Sequence, residues 1–114
     1  MTFHKDVPYL KHILDSINDI EESVKNLSKK EFSNDKDKKE ANIRRIEVIG
    51  EAVKNISIDF KNKYSNIPWK DIAGMRDKLI HHYFGVNVDN VWKVIKEDIP
   101  ILKKEILKIL EKEK

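Results

Sequence analysis

The stretch VPYLKHILDSINDIEESVKNL, residues 7–27, sets the fold class of this chain. Its apolar side chains recur every three or four residues, the period of an α-helix with one buried face. Pro8 stands in the first turn, where a helix tolerates proline, so the pattern predicts a helix over about residues 8–29. The apolar positions are Leu10, Ile13, Leu14, Ile17, Ile20, Val24 and Leu27.

The same period continues after a polar interval. It predicts a second helix over about residues 36–57, with Ser33, Asn34 and Asp35 available as N-caps, and a single helical turn near residues 59–63. Pro68 opens a third helix that runs to about residue 84 and ends at a glycine. The apolar positions of the second helix are Ile46, Ile49, Val53 and Ile56.

The C-terminal part predicts two more helical segments. Residues 88–95 form a fourth helix, and Asp98-Ile99-Pro100 either caps it or kinks it into a fifth. No stretch alternates with period two for long enough to be a strand. The sequence therefore predicts an all-α bundle of four to five helices. The apolar positions of these last helices are Val88, Val91, Trp92, Ile95, Leu102, Ile106, Leu107 and Leu110.

The composition limits the classes of protein to which the chain can belong. Its 114 residues fit one domain, 1–114, and 39% hydrophobic with 38% charged residues suits amphipathic helices. The absence of cysteine excludes disulfides and agrees with a reducing cytoplasm. The N-terminus does not resemble a signal peptide, and no apolar run could span a membrane. A net charge of +3 permits contact with nucleic acid without requiring it.

Chemically rarer groups cluster in RDKLIHHY, residues 76–83, on the third helix. At about 100° per residue, Gly74, Asp77 and His81 share one small polar face, which suits a groove or a subunit interface. Asp77 is four residues before His81 and can orient its imidazole. Arg76 diverges from His81 by about 140°, so both can act on one phosphate only if the helix loosens or two protomers share a cleft.

The residues alone leave a plainer alternative open. An arginine and two histidines near a helix end are often surface ion-pair and dipole partners, and a tyrosine there is often part of the core. Nothing in the spacing predicts a metal or cofactor site, because the chain has no His-x3-His pair and no converging carboxylates. It also lacks a glycine-rich phosphate loop and a serine or cysteine nucleophile motif.

With its context, the segment 76–83 resembles the R-x4-H-x-Y motif of the HepT toxins, a branch of the HEPN superfamily. RRIEVIGEA, residues 44–52, is similar to that family's second-helix signature. IPWKDIAGM, residues 67–75, is similar to the run that leads into the motif, and VDNVW, residues 88–92, to the segment after it. The similarity covers nearly the whole chain.

This resemblance implies a homodimeric helical bundle whose motif lines a cleft between protomers. It implies the toxin of a type VII-like toxin–antitoxin system, a metal-independent ribonuclease that cuts RNA with Arg76 and His81, supported by Asp77 and His82. It also implies a minimal nucleotidyltransferase as the antitoxin, which attaches AMP to Tyr83. No cofactor and no membrane partner are implied.

Two other functions are compatible with the residues. The chain could be a non-catalytic helical partner, the substrate-binding subunit of a nucleotidyltransferase, whose arginine and histidine hold phosphate without turnover. A helical DNA-binding protein is disfavoured, because no helix has the arginine, asparagine and glutamine side chains that a recognition helix needs.

Overall fold

The computed structural model describes residues 5–75, 79 and 87–114, and within them it contains helices and no strand. The predicted all-α class is confirmed. The longest helices are α1 (Val7–Val24), α3 (Lys36–Lys54) and α7 (Ile99–Lys112), and α1 packs against both others. The shorter helices are α2 (Lys29–Ser33), α4 (Ile58–Lys63), α5 (Trp69–Ala73) and α6 (Val88–Lys93), with a π-helical turn Val94–Asp98 between α6 and α7.

The first helix ends at Val24, so its predicted end near residue 29 is wrong. Asn26 has a φ of 63°, a left-handed conformation that asparagine tolerates better than most residues and that stops a helix. Ser28 then starts α2 with a capping box, because its hydroxyl accepts the Glu31 N–H at 3.1 Å and the Glu31 carboxylate accepts the Ser28 N–H at 2.9 Å.

The second predicted helix is confirmed as α3, and the predicted turn near residues 59–63 is confirmed as α4. Asp35 caps α3 by accepting the Lys38 N–H at 3.0 Å. The helix stops at Lys54 rather than at residue 57, because Ser57 takes an extended conformation and caps α4. The buried Asp6 carboxylate accepts the Ser57 N–H at 2.7 Å and its hydroxyl at 2.8 Å, which ties the start of α1 to α4.

The third predicted helix begins as expected after Pro68, as α5. The predicted unbroken run to residue 84 is wrong at Gly74, because α5 ends at Ala73 and Gly74 caps it, its N–H bonding the Lys70 and Ile72 carbonyls. Met75 and Leu79 again have helical backbone, and the predicted end at Gly85 lies outside the described residues. α5 packs against α3, and α2 contacts α3 and α6.

Asp98-Ile99-Pro100 does not cap the last helix; the chain passes into that helix through a π-helical turn. Asp98 makes no capping hydrogen bond, and the backbone stays helical through it. The Ile99 N–H bonds the Val94 carbonyl, one residue wider than in an α-helix. Pro100 explains the widening, because its ring would clash with the carbonyl four residues earlier and it has no N–H to donate.

The core is formed by the predicted apolar stripes, with one error on α7. Leu107 is 47% exposed, and Ile109, at 2%, continues the stripe of Leu102 and Ile106 instead. No described helix combines the length and the apolar character that crossing a bilayer requires. The largest fully buried side chains are Phe32, Phe60, Leu10, Ile13, Ile17, Ile20, Ile46, Ile49, Leu79, Ile99, Ile106 and Val53.

Candidate active site

The predicted site residues Arg76, Asp77, His81, His82 and Tyr83 lie outside the described residues. What the structure describes is the frame around them. This frame consists of α4 and α5 before the motif, Leu79 within it, and α6 after it.

The described apolar residues of α5 and of the segment that follows it face the core, as the periodicity predicts. Ile72 and Met75 are 7% and 5% exposed, and Leu79, inside the motif, is completely buried. Each side chain of this size stabilises the fold by roughly 1.5–3 kcal/mol when it is buried. The apolar side chain at position 79 therefore anchors the motif segment to the bundle.

Gly74, the C-cap of α5, is half-buried among the described residues. Among the described residues, a Cβ at this position would meet only the Lys70 carbonyl at 3.3 Å and the Asp71 carbonyl at 3.7 Å. Both belong to the preceding turn of the same helix, so no other described element lies against this position. A second chain or a ligand could approach the backbone there.

Aromatic side chains fix the start of α5. The buried Trp69 indole N–H donates to the Tyr64 carbonyl at 3.0 Å, and its ring meets Phe60 edge-on at 6.3 Å. The ring of Phe60 also packs on that of Tyr64, with 5.0 Å between the ring centroids. The entry to the motif is therefore held by contacts to α4.

Tyr64 is itself fixed by the C-terminus of the chain. Its hydroxyl donates to the Glu113 carboxylate, which Lys63 also contacts at 2.8 Å. Burial and the neighbouring carboxylate raise the pKa of Tyr64 to about 12, whereas the hydrogen bonds from Lys63 and Tyr64 lower the pKa of Glu113. The Tyr64 phenol thus stays protonated at neutral pH and is occupied by an acceptor.

The chain after the motif begins with a capped helix that contacts α2. Asn87 caps α6 by accepting the Asn90 N–H at 3.2 Å, and Asp89 pairs with Lys29 at 2.8 Å. One turn further, the Trp92 ring packs on Phe32 at 5.1 Å. These contacts join the chain after the motif to α2.

Two grooves of opposite charge flank α5. The acidic groove has a volume of about 280 Å³ and an apolar floor edged by Asp71, Asp98 and Glu105. The basic groove has a volume of about 550 Å³, lies between the end of α4 and α5, and is edged by Lys61 and Lys70. None of the residues that line the basic groove is acidic. An anionic ligand is therefore favoured on the basic side of α5.

The sequence pattern does not single out Lys61 and Lys70. In a chain with 23 basic residues, two separate lysines do not stand out. A signal was present, because no acidic residue lies three or four positions from either of them, where it could form a helix-surface pair.

Among the described residues, no three His, Asp or Glu side chains are arranged so that they could hold one metal ion together. Two of the three arginines are described. Arg44 pairs with Glu47 at 3.4 Å, and Arg45 donates to the Asn42 side-chain oxygen at 3.0 Å. Asn42 is completely buried and donates in turn to Ser23 Oγ at 3.1 Å and to the Lys38 carbonyl at 2.8 Å. Arg45 thus contributes to a structural polar network between α1 and α3.

The matched family model and the matched relatives are all named for ribonuclease activity. A family model described as ribonuclease HepT-like matches residues 13–109. A relative named "Probable ribonuclease HepT" from Thermococcus cleftensis is 50% identical over 106 residues, which cover 93% of this chain and 94% of the relative. A relative from Caldanaerobacter subterraneus subsp. tengcongensis, named as a candidate RNase, is 50% identical over 107 residues, 94% of this chain and 96% of the relative.

A longer relative comes from Methanocaldococcus jannaschii and is named as a gamma-glutamylcyclotransferase and candidate RNase. It is 55% identical over 108 residues, or 94% of this chain, but the chain spans only 49% of that relative's length. No solved structure matches the chain.

Proposed function

Because the chain belongs to the ribonuclease HepT-like family, we propose that it is the toxin of a toxin–antitoxin pair and cuts RNA without a metal ion. Ribonuclease is the enzyme class that this membership gives, and RNA is the substrate class. The observation that carries the proposal is the complete Arg76…His81…Tyr83 motif inside the matched residues 13–109.

The proposed chemistry is transfer of the RNA phosphate to its own 2′-hydroxyl. A histidine removes the 2′-hydroxyl proton, the oxygen attacks the adjacent phosphorus, and the bond to the 5′-oxygen breaks. A second proton goes to that leaving oxygen, so the products end in a 2′,3′-cyclic phosphate and a 5′-hydroxyl. With an ordinary pKa of about 6.5, an imidazole can give and take protons at neutral pH.

Each motif residue has a distinct role in this proposal. His81 transfers the proton, and Arg76 holds the phosphate and stabilises the charge that gathers on its oxygens. Asp77 orients the imidazole of His81, and His82 assists proton transfer as a supporting residue.

The direct test is cleavage in the absence of metal ions. Purified protein, freed of any antitoxin, is expected to cut RNA in excess EDTA and to leave cyclic phosphate ends. Because His81 and Arg76 supply the proton transfer and the charge stabilisation, added Mg²⁺ should change the rate little. Gel electrophoresis measures the cleavage rate, and chemical analysis of the product ends detects the cyclic phosphate. Strict dependence of the rate on a divalent metal would contradict the mechanism.

We further propose that two copies of the chain form the active unit. One structural observation supports a shared cleft: among the described residues, only the preceding turn lies against the backbone at Gly74. The sequence supports it as well, because Arg76 and His81 would diverge by about 140° on an ideal helix. One histidine from each protomer would then serve as base and acid across the cleft.

Gly74→Leu is expected to weaken this dimer, because the larger side chain fills the uncovered side of the helix. Leucine favours a helix more than glycine does, so the fold should survive the change. Sedimentation velocity at micromolar concentration measures the effect. Gly74→Ala is the matched control, since its single methyl contacts, among the described residues, only the carbonyls of the preceding turn. A wild-type protein that sediments as a monomer would rule out the composite site.

We also propose that a minimal nucleotidyltransferase neutralises the toxin by attaching AMP to Tyr83. The described tyrosines are poor candidates for this modification. Tyr64 is 7% exposed and its hydroxyl donates to Glu113, and Tyr9 packs partly buried against the core.

A further inference from the structure

We propose that the basic groove between α4 and α5 binds the RNA strand beside the cut site, with Lys61 and Lys70 contacting its phosphates. This assignment rests on the proposed ribonuclease function. It adds a substrate-binding surface outside the motif.

The charge of the groove favours a polyanion. Neither Lys61 nor Lys70 forms an ion pair with any described residue, so both ammonium groups are available. Across α5, the acidic groove presents three carboxylates. A phosphate backbone approaching α5 is attracted to one side and repelled from the other.

The position of the groove relative to the motif supports the same occupant. Lys70 and Ala73 line the groove from α5, and the motif segment 76–83 follows α5 closely in the chain. Consecutive residues span at most about 3.6 Å each, so the start of the motif, six positions after Lys70, lies within roughly 22 Å of it. An RNA strand held in the groove therefore lies within a few nucleotides of the motif.

The lining of the groove suits a single strand that is bound without base selectivity. The exposed Pro68 and the neighbouring Ala73 provide a small apolar floor for a base. Asn62 and Ser65, both exposed, provide polar groups beside it. Open basic grooves with such floors hold nucleic acid mainly through phosphate contacts and packing.

A second lysine-lined groove, between α3 and α6, is a weaker candidate. Its volume is about 350 Å³, and Lys36 and Lys39 line it together with Glu40. The Lys36 ammonium lies 4.0 Å from the Glu40 carboxylate, which offsets part of the positive charge. The basic groove beside α5 has no such acid.

The test compares the double variant Lys61→Ala/Lys70→Ala with a charge-matched control in the full chain. Both are made in a His81→Ala background, so that a labelled single-stranded RNA of about ten nucleotides stays intact during titration. Fluorescence anisotropy should show roughly tenfold weaker binding for the groove variant. The slope of log affinity against log salt should fall by about 1.4, because each lost phosphate contact on single-stranded RNA contributes about 0.7.

The control is Lys30→Ala/Lys104→Ala, which removes two exposed lysines that line none of the described grooves. This control should keep the wild-type slope of log affinity against log salt. With His81 restored, the groove variant should raise KM for RNA while kcat changes little. A groove variant with unchanged affinity, salt slope and KM overturns the inference and leaves the ribonuclease function intact.

Two further outcomes distinguish the groove assignment from the ribonuclease proposal and from a contact between two copies of the chain. If RNA binding depends on the two lysines but the wild type never cuts RNA, the groove assignment stands and the nuclease proposal falls. If the groove variant changes the sedimentation coefficient but not RNA affinity, the groove contacts a second copy of the chain, and the inference is overturned.

Discussion

Replacing His81 or Arg76 with alanine is expected to abolish RNA cleavage and cellular toxicity. Loss of a positioned proton-transfer group typically lowers the rate by about 10² to 10⁴, and loss of a charge-stabilising donor by about 10² to 10³. Because the two residues act on one transition state, their effects should not add, and the double variant should be little worse than either single variant. Single-turnover cleavage of a labelled RNA measures the rate for the two single variants and the double variant.

Two histidines serve as controls for this prediction. His12 is exposed on α1, and its replacement with alanine should leave the rate unchanged. His82→Ala should have a smaller effect than His81→Ala, since the motif assigns the essential position to His81. A non-catalytic subunit of a nucleotidyltransferase predicts the opposite pattern. In that case His81→Ala would leave the phenotype and the complex intact, because no RNA turnover was lost.

The apolar side of each long helix could be predicted from the sequence, because helical period and burial are linked directly. Ile13, Ile17 and Ile20 on α1 are completely buried, as their spacing predicts. The helix ends were harder to predict. The break at Asn26 depends on a left-handed backbone conformation that asparagine tolerates but does not require. The widened turn before Pro100 depends on how the chain accommodates a proline within a continuous helix.

Around the motif, too, the buried side chains could be predicted from the sequence and the surface grooves could not. Burial of Met75 and Leu79 follows from their period, whereas the two grooves beside α5 depend on tertiary packing. Lys61 is on α4 and Lys70 on α5, and only the fold brings them to one groove. Likewise, Asp98 and Glu105 are far from Asp71 in sequence, and all three line the acidic groove. Local patterns in a sequence contain little information about such surfaces.

Under the proposed neutralisation, Tyr83→Phe is expected to leave the ribonuclease active while it escapes modification by the nucleotidyltransferase. The change removes one oxygen, so the ring can keep its packing while the nucleophile is lost. In the proposed reaction the Tyr83 oxygen attacks the α-phosphorus of ATP, pyrophosphate leaves, and a base of the nucleotidyltransferase takes the phenolic proton. The attached phosphate would compete with RNA for Arg76, and the nucleoside would block the cleft by its bulk.

Intact-mass spectrometry after incubation with the cognate nucleotidyltransferase, ATP and Mg²⁺ should find one or more added AMP groups on the wild type and none on Tyr83→Phe. RNA cleavage should be lost only for the modified wild type. Tyr64→Phe is the matched control, because its hydroxyl is buried against Glu113 and should not be the target. If Tyr83→Phe is still neutralised normally, and AMP is absent or attached elsewhere, the antitoxin acts by another route. A Tyr83 that only packs in the core predicts that the phenylalanine variant behaves like the wild type in both assays.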